Sequence, residues 1–459
     1  MQAADLEYTY RYRRESALLP GRETPRLNLI TTSSPVADIR YVRGAVVNPK
    51  RTADMLIAVV DVVQSRFHIP PAMLAKILRQ SDPVVTCSRE LCRFEGFSAC
   101  CGAYVRLDLL DTALDGERFD TGTTNVNFNA PMRAALSRVR DGDPMEIEIG
   151  SGSVAVETDE GQVVERKVTL PSRWLRGFTD VQAVQARMRL CFELSGPEFR
   201  RFLRELPRGI KGAAWLTFAN GSVRISARYS PGAVSVGGID RLRVLDTVAR
   251  HAERVEVYGP PSHEDADAGE SAWIIDTADS RLTLALSPEV WRGFSGEGQV
   301  LDVLARPDDE RATAAVKASL RWQERIDVDE IRAAHSLEVE AVERALAQFA
   351  ATGLVGYDLH SGTYFHRELP FNPDSIPKLQ PRLEGARRLV DGAAVEFESS
   401  VDPVTAWVRS GDIEYRVVLG EEGDRCTCVW YARHGGARGP CKHILAVRLA
   451  RDAGDAHVN

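Results

Sequence analysis

Several protein classes are excluded by what this 459-residue sequence does not contain. It has eight cysteines, too few for a disulfide framework at this length. Reduced thiols and metal ligands in a reducing compartment are expected instead. No long uninterrupted apolar run occurs, so neither a membrane span nor a membrane partner is expected. Met1 to Arg14 is polar and aromatic with no apolar core of a leader, which points to a cytoplasmic protein. Positive charge is not in excess: 58 Lys and Arg face 65 Asp and Glu, a net charge of −7. Global electrostatics therefore favour neither nucleic acid nor an anionic membrane. There is no nucleotide-binding loop, no Gly-x-Ser-x-Gly and no His-Glu-x-x-His. A non-catalytic protein is the expectation.

What is present suits a globular, multidomain α+β protein. Apolar residues make up 44% and charged residues 27%, and the length suggests roughly three or four domains. Four regions are read: 1–145 and 146–305 as mixed helix and strand, 311–368 as a helical unit with a hairpin, and 382–453 as a compact end module. In the first, Leu6, Tyr8, Tyr10 and Tyr12 alternate as in a strand. Residues 52–80 read as helix. Met55, Ala58, Val59, Val62 and Val63 form one stripe, Pro70 and Pro71 break it, and Met73, Ile77 and Leu78 resume it. Ala103 to Leu110 is an apolar run. TGTTNVNFN (121–129) reads as a polar loop before a helix that starts near Pro131 and reaches about Arg140. Such a loop can hold an anion at a helix N-terminus. It lacks the lysine and glycine pattern of a phosphate loop, so a hydrogen-bonded turn is expected. Cys87, Cys92, Cys100 and Cys101 are expected to be packed thiols rather than a second metal site. Side chains of neighbouring cysteines diverge, and no histidine lies nearby.

The middle region reads as strands over 145–168, broken at Gly150–Gly152 and Glu160–Gly161. A helix over 195–206 capped by Ser195 follows, then strands at 213–219 and 222–229. A helix over 240–253 precedes strands at 254–258, 271–276 and 282–286. Cys191 falls in an apolar run and is expected in the core. LPSRWLRGF (170–178) echoes LSPEVWRGF (286–294), either as two related subdomains or as a chance match of a turn with a Trp anchor.

Residues 312–325 read as a helix. Asp327 with Glu330 opens a second, and Ser336 caps a third carrying Val339, Val342, Leu346 and Phe349 on one face. Gly353 ends it, and 355–365 reads as a hairpin turning at His360-Ser361-Gly362. This is a winged-helix plan. Residues 311–368 hold seven basic and nine acidic side chains. The third helix has Glu338, Glu340 and Glu343 against Arg344, a poor match to phosphates. A protein-docking or structural unit is expected.

The end module carries chemistry. Strands are expected at 393–399, 404–409 and 413–419, with a further strand over Arg425–Tyr431. Cys426 and Cys428, two apart on a strand, point to one side. Twelve residues on come Cys441 and His443, ahead of a helix with Ile444, Leu445, Val447 and Leu449. Residues two apart on a helix diverge by about 200°, so Cys441 must sit at or before the first turn. Three thiolates and one imidazole complete a tetrahedral site with no open position, which makes one structural Zn2+ the expected cofactor.

The order Cys-x-Cys-x12-Cys-x-His, strand first and helix second, resembles the SWIM zinc finger, over about 395–452. FEGFSACCGAYVRLDLL (94–110) and GTTNVNFN (122–129) are similar to bacterial proteins of that family. The resemblance implies zinc binding and a role in binding DNA or protein. It also implies a partner such as an ATPase or a von Willebrand-type protein. Arg425, Arg433, Arg438, Lys442, Arg448 and Arg451 lie in the module with no acid between them, and Trp430, Tyr431 and His434 are interleaved. Such a face suits either nucleic acid or a protein partner, and the scaffold reading is the one carried forward.

Overall fold

A computed structural model describes residues 17–19, 26–28, 39–67, 83–126, 128, 130–166, 172–210, 212–261, 269–291, 293–294, 298, 300–306, 309–369, 380–421, 423–436 and 438–455. Residues 1–39 form one unit and 40–459 another. In the first, β1 (Ala17–Leu19) and β2 (Arg26–Asn28) pair as an antiparallel hairpin. The strand expected at Leu6–Tyr12 and the second helix expected after Pro71 lie outside the described residues.

The second unit opens with β3 (Arg40–Val46), α1 (Pro49–Gln64), β4 (Val84–Cys87), β5 (Cys92–Phe97), β6 (Ala103–Leu109), β7 (Leu114–Arg118), β8 (Gly122–Asn125) and α2 (Ala130–Arg138). A meander follows, of β9 (Met145–Gly150), β10 (Ser153–Thr158) and β11 (Gly161–Arg166). Then come α3 (Ser172–Gln185), β12 (Arg189–Ser195), α4 (Gly196–Glu205), β13 (Ala213–Ala219), β14 (Ser222–Ser226), β15 (Val234–Gly237), β16 (Arg254–Gly259), β17 (Ser271–Asp276) and β18 (Ser280–Leu286). A five-stranded sheet runs β11-β10-β9-β3-β7, and an eight-stranded sheet runs β12-β16-β17-β18-β6-β5-β4-β8. Strands from both sides of residue 145 share each of them, so the boundary drawn there in the sequence does not divide the layers.

Alternation explains the meander: Met145, Ile147 and Ile149 are buried while Glu146 and Glu148 face Arg43 and Arg40 on β3. Helix α1 is buried beyond the expected stripe, with Leu56, Ile57 and Val60 also inside, because it packs on β5, β6 and α2 together. TGTTNVNFN is not a loop throughout. Gly122–Asn125 is an edge strand on β4, and the hydroxyls of Thr86 and Thr123 meet at 3.2 Å across the pair.

Two further expectations are corrected. Residues 240–253 form two 3-10 segments, Ile239–Leu245 and Ala249–His251, rather than an α-helix. Ile239, Leu242, Leu245 and Val248 are all fully buried. Their spacing of three stacks them on one line only at three residues per turn. Cys191 is half-buried, at a register irregularity between Leu190 and Phe192. The two Trp motifs differ in the burial of their tryptophans. Trp174 is fully buried on α3, whereas Trp291 is 61% exposed. What they share is Phe178 and Phe294, whose rings lie 5.0 and 6.2 Å from Phe97.

After α5 (Leu301–Leu304) come three helices, α6 (Glu310–Ser319), α7 (Val328–His335) and α8 (Val339–Ala351). Asp327 caps α7 by accepting from the Glu330 N–H at 3.0 Å. Ser336 closes α7 in a left-handed conformation instead of capping α8, which Glu338 precedes. Ala312, Val316, Ile331, Val342, Leu346 and Phe349 share one core. β19 (Val355–Asp358) and β20 (Thr363–His366) complete the unit as a hairpin.

That hairpin enters the large sheet through buried charge. Arg93 and Glu95 on β5 face Asp108 and Arg106 on β6 as cross-strand partners. Arg106 donates to Asp108 at 3.0 Å and to Asp358 at 2.5 Å. Arg93 donates to Asp108 at 3.0 Å, and Arg367 donates to Glu95 at 2.5 Å. Three guanidinium groups thus meet three carboxylates, all buried. Burial pushes the Asp358 carboxyl up, but Arg106 and Arg93 prevail and hold it well below the usual carboxylate range. No helix among the described residues is long and apolar enough to cross a membrane.

Candidate metal centre

The end module begins with α9 (Pro381–Asp391), followed by β21 (Val395–Ser399), β22 (Val404–Ser410), β23 (Ile413–Leu419) and the two-residue β24 (Arg425–Cys426). These strands form one antiparallel sheet in chain order. Two helices complete it, α10 (Val429–His434) and α11 (Lys442–Asp455). The strand expected over Arg425–Tyr431 is thus only half right. Chain direction changes at Cys428, which caps α10 by accepting from the Tyr431 N–H at 3.4 Å. Gly435, left-handed at φ 52°, ends that helix after Arg433 and His434. A glycine after basic residues is a helix-stop signal present in the sequence.

Cys441 lies directly before α11, as the ligand spacing requires. Its Sγ accepts from the Ile444 N–H at 3.5 Å. Two of the three thiols therefore sit at helix N-termini, where backbone donors and the helix dipole favour thiolate. Donor atoms of Cys426, Cys428, Cys441 and His443 all lie within 4.8 Å of one another, and all four residues are buried. His443 Nδ1 is 3.8 Å from Cys426 Sγ. Tyr415 stacks on the His443 ring at 4.3 Å and fixes its plane.

The electrostatics of the cluster fit a divalent cation. Its hydrogen bond with Cys426 leads in drawing the Cys441 thiol down to about 4, against the opposing effect of burial. The same contact pushes Cys426 up, and burial pushes Cys428 up. Three crowded thiols cannot all ionise alone, and zinc binding releases their protons together. Three sulfur donors and one nitrogen are a structural zinc set with no position left for water or substrate. Among the described residues, no other group of three or more Cys, His, Asp or Glu could hold a metal ion.

Around the cluster, the basic residues have separate fates. Arg448 donates to Asp424 at 2.5 Å and to Asp302 at 2.6 Å. Asp424 lies one residue outside the acid-free stretch, and Asp302 lies on α5. Lys442 donates to Ser410 at 2.9 Å, and Arg451 lies 3.5 Å from Asp452. Arg438 is half-buried with its guanidinium 5.6 Å from the Trp430 ring. Arg425 and Arg433 are exposed. One supporting residue has no signal in the ligand spacing. Arg382 on α9 donates to the carbonyls of Arg438 at 2.6 Å and Pro440 at 3.0 Å, and lies over Trp430 at 4.6 Å. It clamps the loop that delivers Cys441.

A family model described as the SWIM zinc finger matches residues 415–452. No curated protein matches the sequence. Among solved structures, the chain is similar to proliferating cellular nuclear antigen from Entamoeba histolytica, at 9% identity and a TM-score of 0.36 over 55% of this chain and 100% of that one. It is also similar to a PCNA2-PCNA3 complex from Sulfolobus tokodaii, at 8% identity and a TM-score of 0.38 over 54% and 99%. At such TM-scores these likenesses carry no argument. The module is a zinc-binding SWIM finger with one structural Zn2+.

Proposed function

We propose that this is a non-catalytic, cytoplasmic scaffold whose zinc module docks a protein partner through α10. The observation that carries this reading is that helix itself. Its sequence, VWYARH, is two-thirds apolar or aromatic, yet none of its residues is fully buried: Trp430 and Tyr431 rest partly on the module's core, while Val429 and Ala432 are exposed. Val429 is 62% exposed. A short helix of this composition gains from being covered by another surface, and in the chain it lies between the ligands Cys428 and Cys441. The partner class is the one the resemblance implies, an ATPase or a von Willebrand-type protein.

The three-helix unit supports the scaffold role. In a DNA-reading winged helix, the third helix and the hairpin must be free. Here α8 packs against α3 and α5, and the hairpin is held by Asp358. The acidic face of α8 looks into a cleft of about 770 Å³, where Glu340, Glu343 and Arg344 face Asp424, Arg448 and Arg451 of the zinc module.

The second reading, DNA or RNA binding by the zinc module, rests on Arg425 and Arg433, which are exposed and flank Trp430 in the sequence. Fluorescence anisotropy with short single- and double-stranded DNA and RNA separates the two. Phosphate contacts predict affinity that falls steeply with salt. Absence of binding at low salt supports protein docking. Salt-sensitive binding that is lost in Arg425→Glu/Arg433→Glu overturns it.

A further inference from the structure

The hairpin of β4 and β5 closes at Ser88–Leu91, where the Ser88 N–H donates to the Leu91 carbonyl at 3.0 Å. Antiparallel alternation puts the next pair, Cys87 and Cys92, at a non-hydrogen-bonded position. Cα atoms of such pairs are about 4.5 Å apart, inside the roughly 4.4–6.8 Å that a disulfide spans. The two Sγ atoms already touch at 3.1 Å. A cation stands beside one of them. Arg118 Nη1 is 3.7 Å from Cys92 Sγ, while its Nη2 donates to the Glu90 carbonyl at 3.0 Å. Asp111 lies 3.5 Å from the same guanidinium on its outer side.

From this geometry we propose that Cys87 and Cys92 form a thiol–disulfide redox site, with Cys92 as the attacking thiolate and Cys87 as the resolving thiol. The oxidant class is a hydroperoxide, for which hydrogen peroxide is the probe. The Cys92 thiolate attacks one peroxide oxygen. The O–O bond breaks, and the departing hydroxide takes a proton to become water. Cys87 sulfur then attacks the Cys92 sulfenic sulfur. The S–S bond forms, the S–O bond breaks, and the hydroxide leaves as water with the Cys87 proton. Two thiols lose two electrons and two hydrogens, and one peroxide becomes two waters.

The surroundings divide the two roles. Its hydrogen bond from Cys87, then Arg118, draws the Cys92 thiol down against the effect of burial, whereas burial pushes Cys87 up. Both sulfurs are buried, so the reaction proceeds through opening at the hairpin end. Arg89 and Glu90 are exposed there, and Arg118 is 19% exposed.

Sequence makes the test direct. Trypsin cuts after Arg89, between the two cysteines, so a disulfide joins the peptide ending at Arg89 to Glu90–Arg93. Zinc-loaded full-length protein is treated with hydrogen peroxide, alkylated, denatured, digested and mapped by mass. The expected result is the linked pair, lost on reduction, with a dimedone-trapped sulfenic acid on Cys92 in Cys87→Ser. Arg118→Met should slow linkage by roughly tenfold. Recovery of Cys87 and Cys92 unlinked and alkylatable after denaturation, while Cys100 is oxidised, overturns the proposal. That outcome is read in the wild-type chain, so it does not depend on any variant folding.

Discussion

Arg106 and Asp358 lie 252 positions apart in the chain and meet at 2.5 Å with both side chains buried. One belongs to the centre of the large sheet and the other to the hairpin after the three-helix unit. Their contact fixes that unit to the sheet through charge that neither partner can satisfy alone.

Breaking this contact from one side should therefore cost more than removing it whole. Asp358→Asn leaves Asp108 as the one carboxylate hydrogen-bonded to Arg106 and Arg93, with two carboxylates facing three buried guanidinium groups. Removing one member of a buried ion pair typically costs about 3–5 kcal/mol. The paired change Arg106→Met/Asp358→Leu should cost less than Asp358→Asn. Guanidinium unfolding midpoints of the three proteins check this, and equal losses would show that the two charges are not coupled.

Acid stability should depend on a second buried carboxylate. Burial pushes Asp54 up, but hydrogen bonds from His251, Lys50 and Arg250 prevail and hold it at about 2, against an ordinary 3.8. A depressed carboxylate stabilises the fold above its unfolded value, and that stabilisation is lost as pH falls through its folded value. Asp54 should thus contribute about 2 kcal/mol above roughly pH 4, fading toward pH 2. Asp54→Asn should be destabilised near neutrality, and its deficit against wild type should shrink in acid. A deficit that stays constant with pH would remove Asp54 from the account.

Arg382 lies outside the matched stretch yet holds the loop before Cys441. Arg382→Ala keeps all four zinc ligands. It should speed zinc transfer to a chelating dye by about 10-fold or more, the usual scale for a lost outer-shell contact. An unchanged rate would mean that the loop is rigid without the clamp.

Local chemistry was legible in the sequence where it is set by near neighbours. The four zinc ligands, the β9–β11 meander, the Asp327 cap and the three helices with their hairpin were all readable from spacing. Partners brought from far away were not. Arg106 and Asp108 sit in a run that reads as apolar, because their compensation comes from Asp358 and from the facing strand. The acid-free count around the zinc site missed Asp302, which arrives from α5 to engage Arg448. The helix α10 was hidden because Cys428 and Val429 also suit a strand. Gly435 after Arg433 and His434 was the cue for a helix ending there, but ligand spacing alone does not show that the chain turns at Cys428. The 3-10 segments were visible in the three-residue spacing of Ile239, Leu242, Leu245 and Val248, a period that an α-helical reading overlooks.

The most direct test is the zinc content of the purified chain beside Cys441→Ser, measured together with hydrogen exchange. One zinc per wild-type chain is predicted. The variant should bind none, and residues from about 395 to 452 should lose protection while the large sheets keep theirs. Normal zinc in the variant, or a module that stays protected without metal, would contradict the assignment of these four residues as a closed structural site.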